Sequence, residues 1–184
     1  GKLASTLQNL PTLPQDASSI RVLHVSDIHL NPSVWPIMQS IIDQYDVDLV
    51  VDTGDIADHG TAAENQLLTP IQSLGVPYVY IRGNHDSAST AAAIADLPDT
   101  YVLDNEIVDV SGLTIAGIGD PRFTPDRSTE SDDASVVDGG QQLARTIEAS
   151  SGRVDIALVH DPDAAEPLAG TVPLVLAGHL HSRD

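Results

Sequence analysis

In the first half of this chain, short continuous apolar runs alternate with stripes, segments in which apolar residues recur every three or four positions, as on one face of a helix. The runs are rich in β-branched and aromatic residues and predict buried strands at 19–26, 48–53 and 77–81. The stripes, and one Ala-rich stretch, predict helices at 34–45, 61–74 and 88–96. Strands and helices in strict alternation predict an α/β fold with parallel strands and right-handed crossovers.

Two of these helices begin at residues that can cap them. Ser33 precedes the first helix and can cap its N-terminus. Thr61-Ala-Ala-Glu64 matches a capping box, and Gly75 is placed to end the same helix. The core face predicted for this second helix comprises Leu67, Leu68, Ile71 and Leu74.

In the second half of the chain, strands and helices no longer alternate strictly. Three short strands with turn-sized gaps are predicted at 101–103, 106–110 and 113–119. Their short connections predict antiparallel pairing in a second sheet. The segments that follow are a polar loop at 120–133, a helix near 136–150, and strands at 154–159 and 172–177.

The length and composition are typical of one globular domain. The chain has 184 residues, of which 41% are hydrophobic and 19% charged. Residues 1–19, rich in Ser, Thr, Gln and Pro, are predicted to be a lead-in or linker before a domain at 20–184. The absence of cysteine excludes disulfides, thiolate metal sites and a cysteine nucleophile.

The chain is strongly acidic, with a formal net charge of −19. Such a surface repels phosphate backbones and anionic lipids, which disfavours nucleic acids and membrane surfaces as partners. Only 8 lysines and arginines are available to attract a phosphorylated substrate, so metal ions are the expected source of positive charge. No apolar run approaches the roughly 18 residues of a membrane span, so membrane attachment would lie outside this sequence.

Candidate chemistry is concentrated in the turn Arg82-Gly83-Asn84-His85-Asp86-Ser87. A predicted strand leads directly into it, and Gly83 permits a tight turn. An amide, an imidazole and a carboxylate therefore emerge together at the carboxyl end of the strand, where ligands bind in α/β sheets. Taken alone, such a turn is weak evidence, because Gly, Asn and Asp are ordinary turn formers.

The other predicted strands end in similar side chains. These ends are Asp27-Ile28-His29, Gly54-Asp55, His160 and Gly178-His179-Leu180-His181. Side chains two apart in an extended chain point to the same side, so each Asp-x-His or His-x-His pair can converge on one place. With His85, these strand ends hold five of the 7 histidines in the chain.

Imidazoles, carboxylates and one amide form a nitrogen and oxygen donor set that suits manganese, iron or zinc. The donors are too many for one ion but fit two ions that share a carboxylate. Two such ions clamp a phosphoryl group and lower the pKa of a shared water. The expected cofactors are therefore two divalent or trivalent metal ions, with manganese favoured, and the expected partner is a small phosphorylated substrate.

In their order along the chain, these motifs resemble those of the calcineurin-like metallophosphoesterase family. The resemblance implies a four-layer α/β/β/α sandwich with metals above the sheet edges. It also implies two ligand sets that share Asp55. The first set is Asp27, His29, Asp55 and His181, and the second is Asp55, Asn84, His160 and His179.

The resemblance also implies a mechanism. A hydroxide bridging the two ions would attack phosphorus in line, with Asn84 and the metals offsetting the developing charge. His85 would act as the general acid that protonates the leaving oxygen, and Asp58 matches the family carboxylate that orients this histidine.

Within the family, the phosphoprotein phosphatases carry an arginine where this chain has His59. The motifs are more similar to those of bacterial stand-alone phosphodiesterases, so diesters are favoured over monoesters and over phosphoproteins. The stretches 82–87 and 119–126 resemble actinobacterial members whose catalytic domain follows a membrane-spanning region. Membrane tethering would then depend on segments outside this chain.

Plainer structural interpretations remain open for several residues. Asn84 and Asp86 could be turn formers, and Asp86 is expected to brace its turn rather than bind metal. His160 could be a core histidine, and Asp58 could simply begin a loop. Three further residues lie outside the motif set. They are His24, expected to be structural, His59, which could contact substrate, and Arg122, expected to be a solvated loop arginine.

The C-terminal end raises two further expectations. Family members usually continue past Gly-His-x-His with strands that complete the second sheet, whereas this sequence stops at Asp184. Either those strands are missing or the sheet is completed differently, and an open edge would favour pairing with another chain. The alternative function is a catalytically silent metal- or ligand-binding module of a larger membrane-associated protein.

Overall fold

The computed structural model describes residues 19–125 and 133–180. Most of the predicted lead-in, part of the polar loop and His181 lie outside these residues. Within them, no helix is both long and apolar enough to cross a membrane.

The first sheet contains four parallel strands in the order β1-β2-β3-β4. They are β1 (Val22–Val25), β2 (Leu49–Asp52), β3 (Tyr78–Tyr80) and β4 (Thr100–Val102). The prediction that the segment at 101–103 belongs to the second sheet is wrong, because β4 pairs in parallel with β3. A helix separates these two strands, so their connection is a crossover that returns the chain in the same direction.

The described residues include four α-helices. They are α1 (Val34–Tyr45), α2 (Ala62–Asn65), α3 (Ala88–Ala95) and α4 (Asp133–Ala149). The same part of the chain includes two 3₁₀ helices: Gln66–Ser73, which continues α2, and Pro162–Leu168, which the sequence pattern did not predict.

The 3₁₀ geometry after α2 explains one wrong core assignment. Leu68, Ile71 and Leu74 are buried as predicted, whereas Leu67 is 57% exposed. Pro70 lies inside this segment and has no N–H for a backbone hydrogen bond. With three residues per turn, positions 68, 71 and 74 share one face and position 67 does not.

The second sheet has the order β5-β6-β7-β8. Its strands are β5 (Glu106–Val110), β6 (Leu113–Gly117), β7 (Ile156–Leu158) and β8 (Leu174–Leu176). As predicted, β5 and β6 form an antiparallel pair. The β6–β7 and β7–β8 pairs are parallel because helical crossovers connect them.

Three hydrophobic clusters lie between four layers, helices, two sheets and helices, and confirm the α/β/β/α sandwich. One cluster packs α1 and its neighbouring helices against the first sheet, through residues such as Met38, Ile42 and Val50. A second lies between the sheets, where Val51 and Ile115 meet. The third packs α4 against the outer face of the second sheet. The carboxyl ends of the parallel strands consequently lie on a rigid, doubly covered support.

The two predicted helix caps provide a matched pair for mutation. Thr61 Oγ1 accepts a hydrogen bond from the Glu64 N–H, and a Glu64 carboxylate oxygen accepts one from the Thr61 N–H at 2.8 Å. Ser33 precedes α1 as predicted, but it has helical backbone angles and its side chain makes no capping hydrogen bond.

We therefore predict that Thr61→Ala lowers the free energy of unfolding by about 1 kcal/mol, the usual contribution of a capping side chain. The control Ser33→Ala is expected to cost clearly less. Urea denaturation of both variants measures the difference, and equal losses would contradict it.

Candidate metal centre

Two glycine turns pack directly against each other beneath the site. A Cβ added to Gly54 would lie 2.3 Å from the Gly83 nitrogen, and one added to Gly83 would lie 2.4 Å from the Asp55 nitrogen. Any larger residue at either position would force the turns apart. This contact fixes the spacing between the loop after β2 and the loop after β3.

A buried carboxylate ties the same two loops together. Asp86 accepts backbone hydrogen bonds from the N–H groups of Asp55 at 2.8 Å, Ala57 at 2.9 Å and Gly83 at 2.9 Å. It is fully buried. These bonds all serve to hold the loops, so Asp86 is a brace, as expected from the sequence.

Several candidate ligands have left-handed backbone conformations. Their φ angles are 54° for Asp27, 47° for His29, 57° for Asp55 and 72° for His179. Residues other than glycine adopt this region only when surrounding contacts hold them there, and such residues cluster at functional sites. The strand ends are therefore shaped to direct these side chains inward at some conformational cost.

The first group of converging donors comprises Asp27, His29 and Asp55, whose ligand-type atoms all lie within 4.8 Å of one another. His29 Nδ1 lies 3.0 Å from a carboxylate oxygen of Asp58. A carboxylate accepts, so Nδ1 is the donor and Nε2 keeps its lone pair. Nε2 lies 3.9 Å from Asp55 Oδ2. A metal-binding histidine is typically oriented by a carboxylate in this way.

The second group comprises Asp55, His160 and His179, again within 4.8 Å. His160 Nε2 lies 3.3 Å from Asp55 Oδ2, 3.0 Å from Asn84 Oδ1 and 3.2 Å from His179 Nδ1. The opposite ring nitrogen, Nδ1, donates to the carbonyl oxygen of Thr53 at 2.7 Å. Asn84, which the sequence placed in this set, therefore contacts it directly.

The arrangement around His160 requires a cation. With Nδ1 protonated, a neutral His160 would direct the lone pair of Nε2 at two oxygen atoms. A proton or a metal ion between these atoms removes the conflict. Burial lowers the pKa of His160, but contact with the Asp55 carboxylate outweighs it and raises the pKa to about 9. The donor set thus fits a bound metal ion.

Asp55 is common to both groups and is held on two sides. One of its oxygens accepts from the His85 N–H at 2.8 Å, while the other faces His160 and His29. Burial raises the pKa of Asp55, but the hydrogen bond and charge of His160 outweigh it and lower the pKa overall. Asp55 is therefore the carboxylate that belongs to both donor groups.

The expectation that the Asp58 carboxylate orients His85 is not met. His85 Nδ1 instead donates to the backbone carbonyl oxygen of Asp58 at 2.8 Å, and the Asp58 carboxylate contacts His29. The two imidazoles pack edge to face, with ring centroids 5.1 Å apart. The side-chain length and direction of Asp58 decide this outcome, and the spacing of the motif does not reveal them.

Two further described histidines, His24 and His59, lie outside both donor groups. His24 Nε2 lies 3.0 Å from Thr53 Oγ1. The exposed His59 pairs with Glu64, since its Nδ1 lies 3.4 Å from Glu64 Oε1. His181 lies outside the described residues, so its predicted place in the first ligand set stays a prediction.

Arg122 is not the solvated loop residue that was expected. It is 6% exposed and forms a bidentate pair with Asp120, with contacts of 2.9 and 2.6 Å. It also donates to Asp161 Oδ2 at 2.7 Å. Burial raises the pKa of Asp161, but hydrogen bonds from the Asp163 backbone and from Arg122 lower it overall.

This buried ion pair reaches the second donor group, because Asp161 Oδ2 lies 3.6 Å from His179 Nε2. Asp161 therefore faces the ring nitrogen of His179 that points away from His160. Sequence reasoning missed this residue. The available signal was its position directly after His160, with an arginine and a second acid close together at 120–122.

Comparison with known proteins decides the family. Residues 20–183 match the sequence model of the calcineurin-like phosphoesterase family. This chain belongs to that family.

Three curated relatives show how far the similarity extends. The 3′,5′-cyclic adenosine monophosphate phosphodiesterase CpdA of Escherichia coli K12 is 31% identical over 96 residues, which cover 44% of this chain and 35% of that protein. An uncharacterized metallophosphoesterase of Helicobacter pylori 26695 is 25% identical, covering 89% and 45%. A Bos taurus transmembrane protein with a metallophosphoesterase domain is 24% identical, covering 92% and 42%. The chain thus spans less than half the length of these relatives.

A solved crystal structure supports the fold. It has a TM-score of 0.65 and 13% sequence identity, with 86% of this chain and 83% of that chain covered. At this identity, the likeness shows the architecture alone.

The raised pKa of His160 predicts how stability depends on pH and metal. A histidine with a higher pKa in the folded state stabilises that state fully below its unfolded pKa of 6.5, and the contribution is lost as the pH rises through about 9. The metal-free protein should therefore lose stability between pH 6.5 and 9, by up to about 3 kcal/mol. Saturating Mn²⁺ should stabilise the protein more at pH 9 than at pH 6.5, since a metal ion binds the deprotonated ring of His160.

Urea unfolding at both pH values, with chelator or with Mn²⁺, measures this effect. Asp52, whose pKa burial raises to about 8, acts in the same direction, so wild type is compared with His160→Gln. A pH-dependent loss of the same size in that variant would exclude His160 as the source.

The ion pair around Arg122 predicts a second stability effect. Arg122→Met would leave Asp120 and Asp161 buried without their cation, which typically costs about 3–5 kcal/mol. Arg153→Met is the matched control, because the Arg153–Asp155 pair is exposed and 3.7 Å long, and such pairs contribute less than about 1 kcal/mol. Chemical denaturation distinguishes the two, and similar losses would rule out a special role for Arg122.

Proposed function

We propose that this domain is a di-metal phosphoester hydrolase that prefers phosphodiesters. The observation that carries the proposal is the sharing of Asp55 by two groups of converging donors, with His85 held beside them. Two bound ions would lower the pKa of a coordinated water and offset charge on the phosphoryl group. Asp27, His29 and Asp55 would hold one ion, and Asp55, Asn84, His160 and His179 the other, with His181 completing the first set.

His85 is suited to the role of general acid. Its backbone N–H is held by Asp55 and its Nδ1 by the Asp58 carbonyl oxygen, both at 2.8 Å. A carbonyl oxygen only accepts hydrogen bonds, so Nδ1 is the donor in this bond. Nε2 is then the atom that can deliver a proton to a leaving oxygen.

Asn84 is suited to bind through its oxygen. Its Nδ2 donates to Thr124 Oγ1 at 2.8 Å, while Oδ1 lies 3.0 Å from His160 Nε2. The Thr124 contact fixes the amide with its oxygen towards the second donor group. Thr124 therefore supports a ligand without belonging to the set itself.

A preference for diesters rests on charge and on one relative. A phosphomonoester dianion carries about two negative charges and a diester one, and this chain has a net charge of −19. His59, exposed and paired with Glu64, occupies the position at which phosphoprotein phosphatases grip the dianion with arginine. The relative named as a 3′,5′-cyclic adenosine monophosphate phosphodiesterase acts on a diester.

The deciding experiment uses metal-stripped protein refilled with Mn²⁺. We expect hydrolysis of bis(p-nitrophenyl) phosphate, with a lower rate for the monoester p-nitrophenyl phosphate. His85→Ala should lower kcat by about 10²–10⁴-fold, the usual contribution of a general acid, and should still bind two metal ions. His24→Ala, which alters a histidine outside the donor groups, is the control.

Turnover is measured beside metal content by mass spectrometry. A protein that binds two ions per chain and turns over neither ester would contradict the proposal and favour the silent module. Loss of metal in His85→Ala would make that residue a ligand instead of a proton donor.

A further inference from the structure

A cavity of about 620 Å³ opens at the carboxyl ends of β3 and β6, on the same edge of the sheets as the metal centre. Arg82, Gly119 and Pro121 line one side, and α4 lines the other with Gly139, Gln142 and Arg145. The volume falls in the range of small-molecule sites. Neither donor group of the metal centre contributes to its walls.

Two of the few arginines of this acidic protein line the cavity, together with two aspartates. Five arginines lie in residues 19–125 and 133–180, namely Arg21, Arg82, Arg122, Arg145 and Arg153. Three of them pair with carboxylates. The two without a carboxylate partner in the described part of the chain are Arg82 and Arg145, and both line this cavity. Unpaired guanidinium groups that face one cavity indicate an anionic ligand, since their forked donors match phosphate and carboxylate.

The rest of the cavity wall includes a neutral hydrogen-bond donor and a glycine that packs against Arg82. Arg82 lies against Gly119, where an added Cβ would be 3.5 Å from Nε and from Nη2. Asn105 also lines the cavity, and its Oδ1 already accepts from Thr146 Oγ1 at 2.9 Å, which leaves its N–H groups as the available donors. Asp104 and Asp138 line the cavity too; both are exposed, as is Arg145, and neither forms an ion pair with Arg82 or Arg145.

One backbone segment connects the cavity to the metal centre. The Asp120 N–H donates to the carbonyl oxygen of Arg82 at 2.9 Å, and the Thr124 N–H donates to that of Asn84 at 3.0 Å. Arg82 lies two residues before Asn84 and three before His85. These bonds hold the cavity wall at Arg82 next to the turn that carries Asn84 and His85.

We propose that this cavity binds a second anionic group of the substrate, a phosphate or carboxylate distant from the phosphorus that is attacked. The inference rests on the proposed function and adds the substrate class: phosphoesters that carry a further anionic group. Arg145 and Arg82 supply the charge, and Asn105 and Gln142 supply neutral hydrogen bonds.

The test compares ligands that differ only in the second group. Thymidine 5′-phosphate, thymidine 3′,5′-bisphosphate and the 3′-carboxymethyl ether of thymidine 5′-phosphate are titrated into the Mn²⁺-loaded protein by calorimetry at fixed ionic strength. Wild type should bind the bisphosphate, the carboxymethyl ether or both at least about tenfold more tightly than the monophosphate. About tenfold is the usual effect of a hydrogen bond to a charged group. The compound that binds tightly identifies the anion.

Arg145→Gln should abolish most of this ratio, and Arg145→Lys should restore part of it. Arg82→Gln should also lower the ratio. Because Arg82 begins the turn that carries Asn84 and His85, this variant could disturb the metal centre, so the test relies on Arg145. Arg153→Gln, which removes an exposed arginine outside the cavity, should keep the wild-type ratio. A wild-type ratio near one, or a ratio that Arg145→Gln leaves intact, would overturn the proposal.

Turnover of the p-nitrophenyl esters of thymidine 5′-phosphate and of its 3′-phosphorylated form is measured separately. The binding ratio tests the cavity, whereas absence of turnover for both esters counts against the proposed function. The two failures can thus be distinguished.

Discussion

The whole site depends on the contact between two loops, those after β2 and β3. Gly54 and Gly83 allow the loops to touch, and the buried Asp86 carboxylate holds them through backbone N–H groups from both. Unpairing such a carboxylate in the core would cost several kcal/mol, so the spacing is firmly set. Asp55, Asn84 and His85 all emerge from these loops, and their mutual geometry follows from this constraint.

A second constraint on the structure is the pairing of acidic side chains with the few basic ones. Acids outnumber lysines and arginines 27 to 8, yet several carboxylates near the site have a basic partner. Asp161 and Asp120 share Arg122, whereas Asp55 faces His160 and raises its pKa. Against this acidic background, two arginines that line one cavity without a carboxylate partner in the described part of the chain are informative.

Much of this could be predicted from local sequence. The alternation of runs and stripes gave the strand and helix order, and the ligand-type residues at strand ends gave the members of both donor groups within the described residues. Where prediction failed, a longer-range effect was responsible. The strand at 100–102 joined the first sheet because α3 precedes it, and Leu67 turned outward because its segment became a 3₁₀ helix.

The sequence by itself determined which side chains stand at the ends of buried strands, because apolar periodicity and turn residues act over a few positions. Only the tertiary structure decided what those side chains touch. Asp58 contacts His29 with its carboxylate and His85 with its carbonyl oxygen, and Arg122 joins Asp120 to Asp161, 39 positions further along the chain. Such contacts depend on the packing of distant segments and on side-chain direction, and local spacing carries neither.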